Sequence, residues 1–174
     1  LRNKKMSKET RELLKSIYDE VLRLSTIVES LMMLIKSDSG RLVISKEKID
    51  LNKLLQDLVD EMRLLADSKK VTLTFKAQAY PIVEGDSVRL KQLFLNLLDN
   101  AIKYTPPSGT VEVTLTPDDK KVLVQVRDTG IGIPQKDIER IFERFYRAQP
   151  KPQDVMTEGS GLGLAIAKWI EEAH

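Results

Sequence analysis

The chain has 174 residues, 41% of them hydrophobic and 31% charged, which suits one ordinary domain plus an extra element and excludes compositional disorder. Its 28 basic and 26 acidic residues leave a net charge of only +2, interspersed along the chain, so nothing in the balance points to nucleic acid. Cysteine is absent, which excludes a disulfide framework and a thiolate zinc site and fits a reducing compartment, with the cytoplasm as default. The apolar stretches fall far short of the roughly 20 residues that span a bilayer, and no signal-peptide core is present, so the chain reads as soluble as given. Leu1 opens without Met inside a charged, helix-prone run and His174 ends a helix, so the expectation is an excised fragment.

From Leu14 to Ile35 the apolar residues Leu14, Ile17, Val21, Leu24, Val28, Leu31 and Ile35 alternate at spacings of three and four. This heptad seam predicts a long helix with a narrow apolar stripe that needs a partner, either within the chain or in a dimeric bundle. Met32 and Met33 widen the seam as core filling. The turn formers Ser37-Asp38-Ser39-Gly40 stop that helix, and Ser45 to Asp50 reads as a polar connector, placing a domain boundary near 40 to 46. Asp50 can cap a helix over about Leu51 to Asp67. The period then changes to two in Val71-Leu73-Phe75, Val111-Val113-Leu115 and Val122-Val124-Val126, predicting three strands. A hairpin turn is expected at Pro117-Asp118-Asp119, and a short strand around Ile82 and Val83 is expected to join the sheet. Helices are predicted again at about Ser87 to Tyr104, Gln135 to Phe142 and Leu162 to Ala173. The expected fold class is α+β, a two-layer α/β sandwich with a mixed sheet covered by helices on one face.

Four short motifs follow one another in the second half: Asn-Leu-Leu-Asp-Asn-Ala-Ile-Lys-Tyr at 96 to 104, Asp-Thr-Gly-Ile-Gly-Ile-Pro at 128 to 134, Phe-Glu-Arg-Phe-Tyr-Arg at 142 to 147 and Gly-Ser-Gly-Leu-Gly-Leu at 159 to 164. On the helix that Asp86 can cap, Leu90, Leu93, Phe94, Leu97, Ala101 and Ile102 form the predicted apolar face, opposite Asn96, Asn100 and Lys103. Spacings of four and three put two amide oxygens and an ammonium on one side, a set that suits Mg²⁺ and phosphates, although a solvated polar face would look the same. Tyr104 at the helix end can stack on a base or close the core. Asp128 stands at a strand end before Gly130 and Gly132; as an ionised acceptor it is a candidate reader of a purine amino group, and a D-x-G-x-G turn without ligand is the plain alternative.

Gly159, Gly161 and Gly163 lead into a helix whose free N–H groups and positive dipole end suit an anion, without the Lys-Ser or Lys-Thr of a Walker loop. The long stretch between Pro134 and Gly159, with Pro150, Pro152 and Gln153-Asp154, reads as a mobile lid, with Arg144 and Arg147 available to phosphates or to surface salt bridges. Phe142 and Phe145 are expected to anchor the lid by packing.

Taken together, these motifs resemble the N, G1, F and G2 boxes of the catalytic ATP-binding domain of sensor histidine kinases, in the superfamily that includes DNA gyrase and the heat-shock chaperone ATPases (the Bergerat fold). The resemblance covers about Asp50 to His174. It implies that Asn96 and Asn100 serve Mg²⁺, Lys103, Arg144 and Arg147 the phosphates, and Tyr104 and Asp128 the adenine of ATP. It also implies that Gly130, Ile131 and Gly132, with Gly159, Ser160, Gly161, Leu162, Gly163 and Leu164, form the loops around the nucleotide; Ser160 stands where the family often has Thr. The heptad helix resembles the second helix of the family's dimerisation and phosphoacceptor domain, giving expected domains at 1–45 and 46–174.

The first helix of that domain, with its phosphorylated His, is not in the sequence, nor are the family's last strands, and the single His174 is expected to be inert, so no catalytic residue is assigned. The resemblance further implies homodimerisation through the heptad helix, relay to a response regulator receiver domain, no nucleic-acid partner, and a membrane sensor anchored through segments outside this sequence. Two other classes compete: an ATPase or protein serine kinase of the same superfamily, such as an anti-sigma factor, and a non-catalytic dimerisation module with a degenerate pocket.

Overall fold

Most helical and alternating periodicities of the sequence find their element in the computed structural model, which describes residues 7–39, 43–118, 121–148 and 159–174. It divides into two compact units, Leu1–Leu42 and Val43–His174.

The first unit is helix α1 (Lys8–Asp38), capped by Ser7, whose side chain accepts from the Thr10 N–H at 3.1 Å. Its seam residues Leu14, Ile17, Val21, Leu24, Val28 and Ile35 are each 48–58% exposed. A row of apolar side chains that stays half-exposed over six positions is one the lone helix cannot bury by itself. Gly40, offered above as part of the helix stop, lies outside the described residues.

In the second unit, strand β1 (Glu47–Asp50) leads directly into α2 (Leu51–Ser68), where the Asp50 carboxylate accepts from the Lys53 N–H at 3.0 Å. Leu51, Leu55, Leu58, Val59, Met62 and Ala66, three or four residues apart, are its buried stripe. Then come β2 (Thr72–Ala77), β3 (Ile82–Gly85), α3 (Ser87–Tyr104), β4 (Thr110–Asp118) and β5 (Lys121–Asp128). A three-residue 3-10 turn, Gln135–Asp137, and α4 (Gly163–Ala173) complete the order.

β2 and β4 pair in parallel (Phe75 with Val113), and β4 and β5 antiparallel (Val113 with Val126), so the sheet β2-β4-β5 is mixed. The parallel pair requires a crossover connection, and α3 lies within it. Val111, Val113 and Leu115 point to the covered face and are fully buried, whereas Thr72, Thr74, Lys76, Lys121, Leu123, Gln125 and Arg127 are exposed on the other. Helices therefore cover one face: α2 packs on β2 and α3, and α4 on α3. The fold is the α+β, two-layer arrangement expected from the sequence.

Three expectations need correction. Ile82 and Val83 do not join the main sheet; β3 pairs antiparallel with β1, Ile49 opposite Val83, in a separate two-stranded ribbon. The span read as a polar connector contains β1, whose only buried side chain is Ile49, too little alternation to signal a strand. Pro117 and Asp118 extend β4 instead of making the turn, and Asp119 lies outside the described residues. Among the described residues, no helix is long and apolar enough to cross a membrane.

Candidate functional site

Helix α3 is the platform. Asp86 caps it, one carboxylate oxygen accepting from the Arg89 N–H at 3.1 Å and the other from the Ser45 N–H at 3.2 Å. Leu90, Leu93, Phe94, Leu98, Ala101 and Ile102 are buried beneath it. The predicted face named Leu97; the helix turns Leu98 fully inward and leaves Leu97 half-buried. Asn96, Asn100, Lys103 and Tyr104 are half-buried.

Each of the other three motifs comes back to this helix or to a motif that does. The Asn96 amide donates to the Gly163 carbonyl at 3.1 Å, tying the middle of α3 to the start of α4. The Lys103 ammonium lies 3.0 Å from where a side chain on Gly159 would begin, so Gly159 leaves room for it. The Tyr104 carbonyl accepts from the Ile131 N–H at 3.1 Å, joining the end of α3 to the Asp128 loop. The Phe145 N–H donates to the Gly161 carbonyl at 2.9 Å, joining the third motif to the fourth.

Asp128 stands exposed at the end of β5, where one of its carboxylate oxygens accepts from the Gly130 N–H at 2.8 Å. A carboxylate has further acceptor positions, so this bond orients Asp128 without using it up. A Cβ on Gly130 would lie 2.6 Å from both that oxygen and the Tyr104 carbonyl oxygen, closer than real Cβ contacts come. The loop therefore requires glycine there. Gly132 has φ +70° with open space around it, a conformation other residues adopt at a cost.

Residues not singled out in the sequence build the floor of this loop. Thr129 accepts from the Thr110 N–H at 2.9 Å, and buried Thr105 donates to the Ala101 carbonyl at 2.6 Å. Gly109 sits against both threonine side chains with no room for a Cβ. In the sequence Thr105 is merely the residue that follows the helix end at Tyr104, before Pro106 and Pro107, so spacing carried no sign of this.

At the fourth motif, Ser160 accepts from the Leu162 N–H at 3.3 Å, and α4 begins without a side-chain cap. Gly161 has φ +71°, and a Cβ there would meet the Phe145 backbone at 2.8 Å. Leu162 is fully buried beneath the turn, and Leu164 is half-buried in the first turn of α4. The uncapped helix start beside Lys103 and Asn96 favours an anion.

The predicted helix over Gln135 to Phe142 is replaced by the 3-10 turn and successive turns as far as Phe145. The buried Asp137 anchors these turns: its backbone carbonyl accepts from both the Arg140 N–H at 2.9 Å and the Ile141 N–H at 3.0 Å, and its side chain accepts from the Tyr146 hydroxyl at 2.8 Å. That hydrogen bond raises the Tyr146 phenol above its ordinary pKa, with burial second. Nor do Phe142 and Phe145 anchor this segment by burial. Phe142 is 41% exposed beneath the Lys168 ammonium, 5.7 Å from the ring centroid, and Phe145 is 57% exposed and held by its backbone. Arg144 and Arg147 are exposed on either side of the Phe145-Tyr146 pair. Pro150, Pro152, Gln153 and Asp154, the centre of the expected lid, lie outside the described residues.

The donor set fits Mg²⁺ only in part. Amide carbonyls on Asn96 and Asn100 are hard oxygen donors, and with the Asn96 NH₂ engaged on Gly163 its oxygen remains available. Among the described residues no three His, Cys, Asp or Glu side chains cluster to hold a metal, so phosphate oxygens and water would have to complete the shell.

The family model for the histidine kinase-, DNA gyrase B- and HSP90-like ATPases matches residues 85–174. The probable sensor protein PcoS of Escherichia coli is 37% identical over 164 residues, which are 94% of this chain and 34% of PcoS. The crystal structure of full-length ShkA in complex with AMPPNP superposes with a TM-score of 0.82 at 28% identity, covering 98% of this chain and 35% of ShkA. Histidine kinase ThkA in complex with the response regulator protein TrrA gives a TM-score of 0.64 at 26% identity, covering 84% of this chain and 42% of that one. The chain thus spans about a third of the length of the curated relatives it matches. With its four motifs assembled around α3 and the family model covering all of them, the chain belongs to the histidine kinase-, DNA gyrase B- and HSP90-like ATPase family, among relatives that are sensor histidine kinases.

Proposed function

We propose that this chain is the ATP-binding kinase core of a two-component sensor histidine kinase, which holds Mg-ATP and delivers the γ-phosphoryl group to a histidine elsewhere, for relay to an aspartate of a response regulator. The observation that carries the reading is the closure of the four motifs on one another through Asn96–Gly163, Tyr104–Ile131 and Phe145–Gly161. In this reading Asp128, held by Gly130, accepts from the adenine amino group, and Tyr104 flanks the base. Asn96 and Asn100 supply oxygens to Mg²⁺, while Lys103, Arg144, Arg147 and the start of α4 neutralise the phosphates. The loops of Gly130, Ile131 and Gly132 and of residues 159–164 enclose the nucleotide. Bound Mg²⁺ would offset charge on the phosphate oxygens as the β–γ bridging bond breaks and the N–P bond forms.

The chain's own contribution is positioning and charge, which is most of what phosphoryl transfer asks of a protein. In this reading His174 is not the acceptor, which is supported by the engagement of both its ring nitrogens: Nε2 accepts from the Asp86 N–H at 2.9 Å and Nδ1 is 2.8 Å from the Ile170 carbonyl. The relative complexed with AMPPNP, an imido analogue of ATP, and the one complexed with a response regulator support the same assignment.

The test is titration of this chain with ATP in the presence and absence of Mg²⁺, followed by addition of a separately made helical bundle bearing a phosphoacceptor His. Saturable, Mg²⁺-strengthened binding and label transfer from [γ-³²P]ATP to that His are expected. Binding without transfer to any His-bearing bundle would favour the simple ATPase reading.

The half-exposed seam of α1 supports homodimerisation. A Val21→Lys, Val28→Lys variant places two charges in that stripe. Sedimentation is expected to give a dimer for the unaltered chain and a monomer for the variant; a monomer in both cases would remove the dimer from the proposal.

A further inference from the structure

Asp137 is a buried carboxylate with no part in the nucleotide contacts above. Only 4% of its surface is exposed, and among the described residues its second oxygen has no hydrogen-bond partner, so the side chain relies on the 2.8 Å bond from the Tyr146 hydroxyl. A buried carboxylate carried by one donor is costly to keep, so its retention calls for a reason. The Tyr146 ring is held on its other side by the Arg140 guanidinium, 4.1 Å from the ring centroid, and Arg140 in turn pairs with Glu143 at 3.1 Å.

Directly before Tyr146 stands Phe145 with φ +62°, a left-handed conformation that a bulky residue seldom adopts. Phe145 is mostly exposed, so its side chain does not hold it there; its N–H bond to the Gly161 carbonyl on one side and the anchored Tyr146 on the other do. Gly161 lies between Gly159, beside the Lys103 ammonium, and Gly163, bound by Asn96.

We propose that Asp137 and Tyr146 form a latch that holds Phe145 in its strained conformation against Gly161, and so are positioning residues for the phosphate end of the nucleotide site. The proposal rests on the ATP-binding reading. The latch fixes the turn over the phosphates and leaves the adenine end, built by Asp128, Gly130 and Tyr104, untouched.

The whole chain, with Mg²⁺ present, is titrated with ATP and with adenosine, each in competition with a fluorescent adenine nucleotide. The Tyr146→Phe variant keeps the ring and its stacking on Arg140 and loses only the hydroxyl. Its ATP affinity is expected to fall about ten-fold, the scale of one hydrogen bond to a charged group, with adenosine affinity unchanged. Glycine adopts a positive φ freely, so in a Phe145→Gly background the same substitution is expected to change ATP affinity less than about two-fold. Equal losses for ATP and adenosine, unchanged ATP affinity in Tyr146→Phe, or an undiminished loss in the Phe145→Gly background would each overturn the latch while leaving ATP binding in place. Failure of the unaltered chain to bind either ligand would overturn the functional reading and the latch with it.

Discussion

Asp128→Asn is expected to weaken ATP binding about 10- to 100-fold without unfolding the domain, because a hydrogen bond to a charged group is worth about 1.5–3 kcal/mol and 1.4 kcal/mol is a factor of ten. The geometry shows why an isosteric change should be so damaging. One carboxylate oxygen already accepts from the Gly130 N–H at 2.8 Å, and the other is left for the adenine amino group. An amide has a single oxygen. If that oxygen stays on Gly130, the NH₂ faces the adenine amino group, donor against donor; if it turns outward, the Gly130 N–H loses its partner. Neither arrangement restores both bonds. The base O6 of guanine accepts, so the variant should lose less affinity for GTP than for ATP. Competition titrations with both nucleotides measure this, with the thermal midpoint as control, and equal ATP affinity in the variant and the unaltered chain would remove Asp128 from the adenine site.

The same residues show how far a sequence can be read. Helix α3 is observed over the predicted range 87–104, because a capping Asp86, a strong apolar period and the Thr105-Pro106-Pro107 stop all agree. The motifs' order was legible for the same reason: glycines and polar side chains at fixed spacing are local information. What joins them was not. Asn96 reads in the sequence as an oxygen donor to a metal; that its amide nitrogen also binds the Gly163 carbonyl, 67 residues away, is a contact that no helical spacing announces. Thr105, Thr129 and Gly109 were missed for a like reason, since each matters only where the end of α3 meets the start of β4.

The segment after Pro134 misled in the opposite direction. Ile138, Ile141 and Phe142 have helical spacing, but the buried Asp137 and its tyrosine partner divert the chain into turns, a tertiary override of local pattern. The ribbon of β1 and β3 was illegible because a four-residue strand with one buried side chain has almost no period to detect.

Leu98→Ala is expected to cost about 2–5 kcal/mol of folding stability, since Leu98 is fully buried on α3 and its truncation leaves a cavity that the packed neighbours only partly fill. Urea unfolding of the second unit measures the loss, and a cost under about 1 kcal/mol would mean that the helix is not seated as described. This substitution also separates the fold from the site. ATP at about 100 times its Kd should stabilise the folded form by about 2.7 kcal/mol. The Leu98→Ala variant should start lower and gain nearly the same increment, because Asn96, Asn100 and Lys103 occupy the other side of the helix. Asp128→Asn should start at the unaltered stability and keep only about 0.4–1.4 kcal/mol of the gain, since a 10- to 100-fold weaker Kd leaves ATP at about 10 to 1 times that Kd. If Leu98→Ala instead abolished the increment, the platform and the pocket would be a single cooperative structure, and the polar side chains of α3 would owe their positions to the core packing below them.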